Sequence, residues 1–207
     1  MKVLMFNGSP HEKGCTYTAL SEVAKTLHEG GVETELIWLG TKPIQGCMAC
    51  RSCAATNKCV FDDIVNEAAL RCAGADGFIF GTPVHYAAAS GMLTTFMDRL
   101  FYTSGKKVMA FKPAAGVVSC RRSGSTATFD QINKYFSICQ MPIASSQYWN
   151  AVHGHSPEEV MQDLEGMQTM RTLGRNMAWL LQCIEAGKAA GVPLPHQEAR
   201  ANTNFIR

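Results

Sequence analysis

Four of the chain's nine cysteines, Cys47, Cys50, Cys53 and Cys59, fall within thirteen residues. In a reducing compartment such crowding points to a metal or redox site, and the odd total argues against a disulfide framework. A second group of chemistry-bearing residues lies in FNGSPHEKGCT (6–16), after the apolar opening MKVLM and before a helical pattern. It offers the hydroxyls of Ser9 and Thr16, the cation of Lys13 and the flexible Gly14. Free N–H groups and the dipole at a helix N-terminus favour a phosphate there, and hydroxyls complete its shell. The same residues also suit a plain tight turn with Thr16 as helix cap. The stretch lacks the G-x-G-x-x-G of a dinucleotide turn. It also places Cys15 and Thr16 after Gly14 where a P-loop requires Lys-Ser/Thr.

Three later loops carry further candidates. GTPVHYAAASGM (81–92) sets Pro83 directly after an apolar strand, then His85 and Tyr86, which gives a rigid backbone and an aromatic face for a flat ring. Its plain reading is the end of a strand. SCRRSGSTAT (119–128) combines Arg121 and Arg122 with Gly124 and hydroxyls. These arginines suit a dinucleotide phosphate or a ring carbonyl, and equally a solvated basic turn. In SQYWNAVHGH (146–155), Tyr148 and Trp149 read as core, and His153 and His155 lack a further partner at ligand spacing.

The elements that must position these loops follow from hydrophobic pattern. Strands are predicted at 3–6, 32–39, 76–81, 113–119 and 141–149, and helices at 16–29, 62–73, 91–102, 125–139 and 157–187, the second opened by Asp62 and Asp63. Strands alternating with helices predict an α/β domain with a mostly parallel five-stranded sheet and helices on both faces. Ligands of such sheets bind beyond the carboxyl ends of the strands, which is where these loops fall. A single domain is expected over 1–187, interrupted by a Cys-rich loop at 46–59 and followed by an extended tail at 188–207. Met161, Leu164, Met167, Met170 and Met177 on the last helix would join subunits or pack on the domain's own sheet. A net charge of +2 gives no electrostatic footprint for nucleic acid or an anionic membrane. With no apolar run of spanning length and no signal-peptide core, a cytoplasmic protein is expected.

GSPHEKGCT followed by GTPVHYAAASGMLTTFMDRL resembles the NAD(P)H-dependent FMN reductase branch of the flavodoxin-like superfamily, over residues 1 to about 155. The resemblance implies a flavodoxin-like three-layer sandwich with sheet order 2-1-3-4-5. It places the FMN phosphate on Ser9, Lys13, Gly14, Cys15 and Thr16, and the isoalloxazine on Pro83, Val84, His85 and Tyr86. Ser119, Arg121 and Gly124 would border the flavin. Cys15 stands where relatives often carry Asn or Ser, which keeps a backbone contact but weakens a side-chain contact to phosphate. His85, commonly Tyr in relatives, weakens ring packing. The implied activity is hydride transfer from NAD(P)H to FMN and on to a quinone, a nitro or azo compound, a free flavin or a protein partner. The flavin carries the chemistry, with Arg121 or Arg122 stabilising its anionic reduced form. A homodimer or homotetramer is implied as well.

Within that superfamily, GCMACRSCAATNKC resembles the compact cluster motif of the iron-sulfur flavoproteins, with spacing C-x2-C-x2-C-x5-C. The resemblance implies a [4Fe-4S] cluster on Cys47, Cys50, Cys53 and Cys59. Zinc, which usually takes two well-separated C-x2-C pairs, and thiols without metal beside the flavin are the alternatives. Cys72, Cys120, Cys139 and Cys183 read as isolated small hydrophobes. Two other classes compete with the reductase: an FMN electron carrier, which a +2 chain fits poorly because such relatives tend to be strongly acidic, and a zinc-stabilised binding module.

Overall fold

The computed structural model describes residues 1–199, 201–203 and 205. Strands β1 (Lys2–Asn7), β2 (Glu33–Trp38) and β3 (Gly77–His85) are followed by a two-residue strand β4 (Ala88–Ala89), then by β5 (Ala114–Cys120) and β6 (Ala151–His153). Five of them are parallel in the order β2-β1-β3-β5-β6, and β4 folds back antiparallel on β3. The sheet therefore has six strands rather than five. The parallel order matches the expected one once the hairpin strand is counted.

Helices cover both faces, and this explains why the central strands are unbroken apolar runs instead of alternating ones. Val3 through Phe6 and Phe78 through Phe80 are all fully buried. Successive residues serve opposite cores. Leu4, Phe6, Phe78 and Phe80 join Phe96 and Phe136 on one face, and Val3, Met5, Ile79 and Val117 join Leu20, Val23 and Met170 on the other. The first face is covered by α3 (Ile64–Cys72), α4 (Gly91–Leu100) and α5 (Ser125–Ile138). The second is covered by α1 (Cys15–Glu29) and, after the short α6 (Pro157–Gln162), by α7 (Leu164–Ala189). A short helix α2 (Ser52–Thr56) lies within the Cys-rich loop. Asp63 caps α3, its carboxylate accepting from Val65 N at 3.1 Å.

Three expectations change. The strand read at 141–149 is a turn with one bridge, Ala114 to Ile143, because Ser146 Oγ bonds Tyr148 O and Asn150 Oδ1 and bends the chain. The ordered strand comes later, at 151–153, and Tyr148 and Trp149 are exposed, not core. The helix read at 157–187 breaks at Asp163, whose carboxylate caps α7 through Gly166 N (2.9 Å) while also accepting from His153 N (2.6 Å). Met167, Met170 and Met177 are buried in the domain's own core beside α1, whereas Met161 and Leu164 are exposed. Finally, α4 does not stop near residue 102 but widens into π-helical turns over Phe101–Met109. Helix α7 runs to Ala189, and the expected tail 188–207 lies partly outside the described residues.

Candidate functional site

The loop after β1 is drawn onto the neighbouring strands by its own polar groups. Gly8 N donates to Gly81 O at 2.9 Å, Ser90 Oγ to Gly8 O at 2.7 Å, Asn7 Nδ2 to Glu12 O at 2.9 Å, and the Trp38 indole to Ser9 O at 2.8 Å. A side chain at Gly8 would stand 2.6 Å from Leu93 Cβ, so only glycine lets the loop approach α4. Ser9 is buried, and its Oγ accepts from His11 N. The residue at the N-cap of α1 is Gly14, and no side chain caps the helix. Thr16 is not the cap: its Oγ1 lies 2.8 Å from Ser119 Oγ, both groups buried, which ties the first turn of α1 to the end of β5. Among the described residues, the first N–H groups of α1 thus carry no side-chain acceptor. Cys15 Sγ lies 3.8 Å from Gly154 O, and burial pushes its thiol up. Lys13 is exposed at the rim.

The loop after β3 is a hairpin. Val84 and His85 pair with Ala89 and Ala88, and the two turn residues, Tyr86 and Ala87, both have positive φ (51° and 58°). Two-residue hairpin turns demand this geometry, and non-glycine residues adopt it at a cost. Gly124, at φ 91°, packs beneath the turn, where a Cβ would lie 2.9 Å from Ala87 Cα. Pro83 pairs with Ser119 across β3 and β5. Pro83 and Val84 are half-buried, while His85, Arg121 and Arg122 are exposed and Tyr86 is fully so. Among the described residues, neither arginine makes an ion pair. The structure therefore brings Ser9, Gly14, Cys15, Thr16, Pro83, Val84, Ser119 and Gly124 to one carboxyl edge, with Lys13, His85, Tyr86 and Arg121 around it. A groove of about 460 Å³, between Met1, Asp76, Pro113 and Leu181, lies at the opposite edge of the sheet.

The four clustered cysteines line a single small cavity with Phe61, Arg99, Tyr102 and Thr103. The loop curls there because Ala49, Arg51 and Asn57 all have positive φ. Cys53 Sγ lies 3.8 Å from Tyr102 O on the π-helical turns, and Asn66 clasps Cys59 by its main chain (Cys59 N to Oδ1 2.8 Å, Nδ2 to Cys59 O 3.0 Å). Hydrogen bonds from Ser52, the backbone N–H foremost, hold the Cys50 thiol below its ordinary pKa. Among the described residues, no three His, Cys, Asp or Glu side chains converge as they would around a metal ion. The four thiols thus line one cavity without gathering around a single ion.

Arg99 is the residue that the sequence reading missed. Its side chain is 1% exposed. Its fork grips Asp63 (2.6 and 2.9 Å), two further donors reach Gln45 O (3.2 Å) and Phe61 O (3.0 Å), and Nε donates to Cys59 Sγ at 3.2 Å. Burial alone would lower its pKa, but the bonds to Asp63 and Cys59 outweigh it and hold the guanidinium above the ordinary value. The signal was present in TTFMDRL: three residues after Phe96, an arginine falls on the buried stripe of an amphipathic helix.

Residues 1–156 match the family described as NADPH-dependent FMN reductase. The chain belongs to that family. It is an oxidoreductase of the FMN reductase type. It is 31% identical over 195 residues to an iron-sulfur flavoprotein of Methanocaldococcus jannaschii, covering 89% of this chain and 100% of the relative. It is 24% identical over 193 residues to the iron-sulfur flavoprotein of Methanosarcina thermophila, covering 91% and 99%. Among solved structures, an NAD(P)H:quinone oxidoreductase from Methanothermobacter marburgensis aligns with TM-score 0.67 at 15% identity, over 86% of this chain and 96% of that one. An archaeal flavodoxin aligns with TM-score 0.60 at 14% identity, over 88% and 99%. These two establish the flavodoxin-like fold. No described helix is long and apolar enough to cross a membrane.

Proposed function

We propose that this FMN reductase family member binds FMN at the carboxyl edge of β1, β3 and β5, takes reducing equivalents from NAD(P)H and delivers them to a small-molecule or protein acceptor. The observation that carries the reading is the Thr16–Ser119 contact, which ties the uncapped start of α1 to the end of β5, where Ser119 also pairs with Pro83 at the foot of the hairpin that Gly124 supports. Free backbone N–H groups at a helix start suit a phosphate, and the hairpin and Pro83 give a flat ring a firm edge. FMN, when bound, supplies the hydride-accepting ring. The chain's part is to hold and orient it. Ser9, Lys13, Gly14, Cys15 and Thr16 surround the phosphate, Pro83, Val84, His85 and Tyr86 border the ring, and Ser119, Arg121 and Gly124 close the third side. Arg121 or Arg122 places a cation where a reduced ring is anionic.

The Cys cavity supports a second assignment in the same reading. Its donor set is wholly thiol, which suits iron and sulfide, and a buried cation faces it, which suits an anionic centre. Cys47, Cys50, Cys53 and Cys59 would hold a [4Fe-4S] cluster, a one-electron store. The relatives' name, iron-sulfur flavoprotein, favours this over zinc. The protein is read as cytoplasmic and oligomeric.

The test is an absorption spectrum of protein purified without air, with iron and acid-labile sulfide assayed on the same sample. Flavin bands, a broad brown shoulder and about four irons per chain are expected. Flavin without iron overturns the cluster and leaves the reductase. Zinc without flavin overturns both and favours the binding module.

A further inference from the structure

Helix α4 connects the two candidate sites, with Ser90 at its start bonded to Gly8 O in the phosphate loop and Arg99 near its end bonded to Cys59 Sγ. Two nitrogens of the fork already satisfy Asp63, Gln45 O and Phe61 O, and these bonds alone would fix the loop. The remaining donor, Nε–H, points at a cysteine sulfur.

We infer that Arg99 is a positioning residue for the cysteine centre: its Nε–H donates to Cys59 Sγ, and its buried charge raises the reduction potential of the cluster held there. The inference rests on the cluster reading above. Accepting one electron from a donor adds one negative charge to such a centre, with no bond made or broken and no proton taken up. A fixed cation in contact with one ligand stabilises the reduced state more than the oxidised one. The guanidinium cannot lose its proton, and with 1% of the side chain exposed little water screens it. Hydrogen bonds to ligand sulfurs and nearby charge are recognised levers on cluster potential. Asp63 opposes the effect, because its carboxylate lies against the same guanidinium. The two residues therefore form a charge pair whose balance sets the field at Cys59.

The pair yields a test with opposite signs. Protein purified without air is titrated with redox dyes, and the reduced centre is followed by electron paramagnetic resonance, for wild type, Arg99→Met, Arg99→Lys and Asp63→Asn. Iron and sulfide are assayed on each. Arg99→Met is expected to shift the equilibrium with a one-electron donor at least about tenfold toward the oxidised form, a fall of about 59 mV. Arg99→Lys keeps the charge but loses the planar fork and its Nε donor, and is expected between wild type and Arg99→Met. Asp63→Asn keeps a good cap for α3 while removing the opposing charge, and is expected to raise the potential. Should Arg99→Met fail to assemble iron, Arg99→Lys and Asp63→Asn decide. Iron-loaded variants that titrate with wild type, or that all shift in one direction as a loosened fold would, overturn the inference alone. Wild type without iron overturns it together with the cluster reading.

Discussion

Thr16 shows how one side chain ties the fold to the proposed site. Its hydroxyl is buried against Ser119, so Thr16→Ala removes one partner and leaves the other polar group buried and unpaired, at a cost of about 1–3 kcal/mol. The variant is expected to melt lower and to bind FMN about tenfold more weakly, a change of about 1.4 kcal/mol, read from quenching of FMN fluorescence. An unchanged dissociation constant would remove Thr16 from the phosphate shell. The cysteines divide in the same physical way. Cys72 is fully buried, which pushes its thiol up to about 12, and burial raises Cys139 as well, whereas Cys47 and Cys50 are exposed. A thiol with so high a pKa stays protonated at pH 8 and is a poor nucleophile. Iodoacetamide at pH 8 on iron-free protein is therefore expected to label Cys47 and Cys50 in the folded state and Cys72 and Cys139 only after unfolding, as read by mass spectrometry. Early labelling of Cys72 would show that the core beneath α3 opens. The place of Arg99 on the buried stripe of α4 was legible in TTFMDRL, but its long-range partners, Asp63 and Cys59, were not, because no local pattern displays them.

At the scale of elements, the hairpin after β3 holds strain beside the proposed ring site. Tyr86 is fully exposed yet has φ 51°, a conformation that costs an L-residue about 1–2 kcal/mol. Tyr86→Gly relieves it and, after glycine's entropy loss, is expected to gain about 1 kcal/mol, or about 2–4 °C in melting temperature. FMN affinity should fall, because the aromatic edge is gone; a variant that keeps full affinity would leave Tyr86 without a role at the ring. Gly124→Ala acts in the opposite sense. At φ 91°, with Ala87 Cα 2.9 Å from the new Cβ, it is expected to cost about 1–3 kcal/mol and to loosen FMN through the displaced hairpin. What was legible here depended on length. Long apolar runs announced β1, β3 and β5, and Asp63 announced α3. The two-residue β4 and three-residue β6 carry too little pattern to read. The break between α6 and α7 turns on Asp163 bonding a distant strand, which helical periodicity does not encode.

At the scale of the molecule, helices on both faces leave the carboxyl edge of the sheet and the α3–α4 surface as two separate regions, each the place of one proposed site. Ser90 and Arg99 stand nine residues apart along α4, a rise of about 14 Å, and among the described residues the groups that fix the proposed phosphate loop share no hydrogen bond with those that fix the Cys loop. The phosphate loop depends on Gly81, Ser90 and Trp38, and the Cys loop on Asn66, Arg99, Tyr102 and Lys107. Contacts this independent should give nearly additive responses to mutation. Cys47→Ser and Cys53→Ser are accordingly expected to abolish iron binding while leaving the FMN dissociation constant within about twofold, since the shift for uncoupled sites is only about 0.3–0.5 kcal/mol. Both sites are assayed on the same anaerobic preparation. Retained flavin with lost iron fits two sites joined by one helix. Loss of flavin from both variants would mean that the Cys loop is part of the flavin's own shell, and that the helix couples the sites more tightly than its hydrogen bonds indicate.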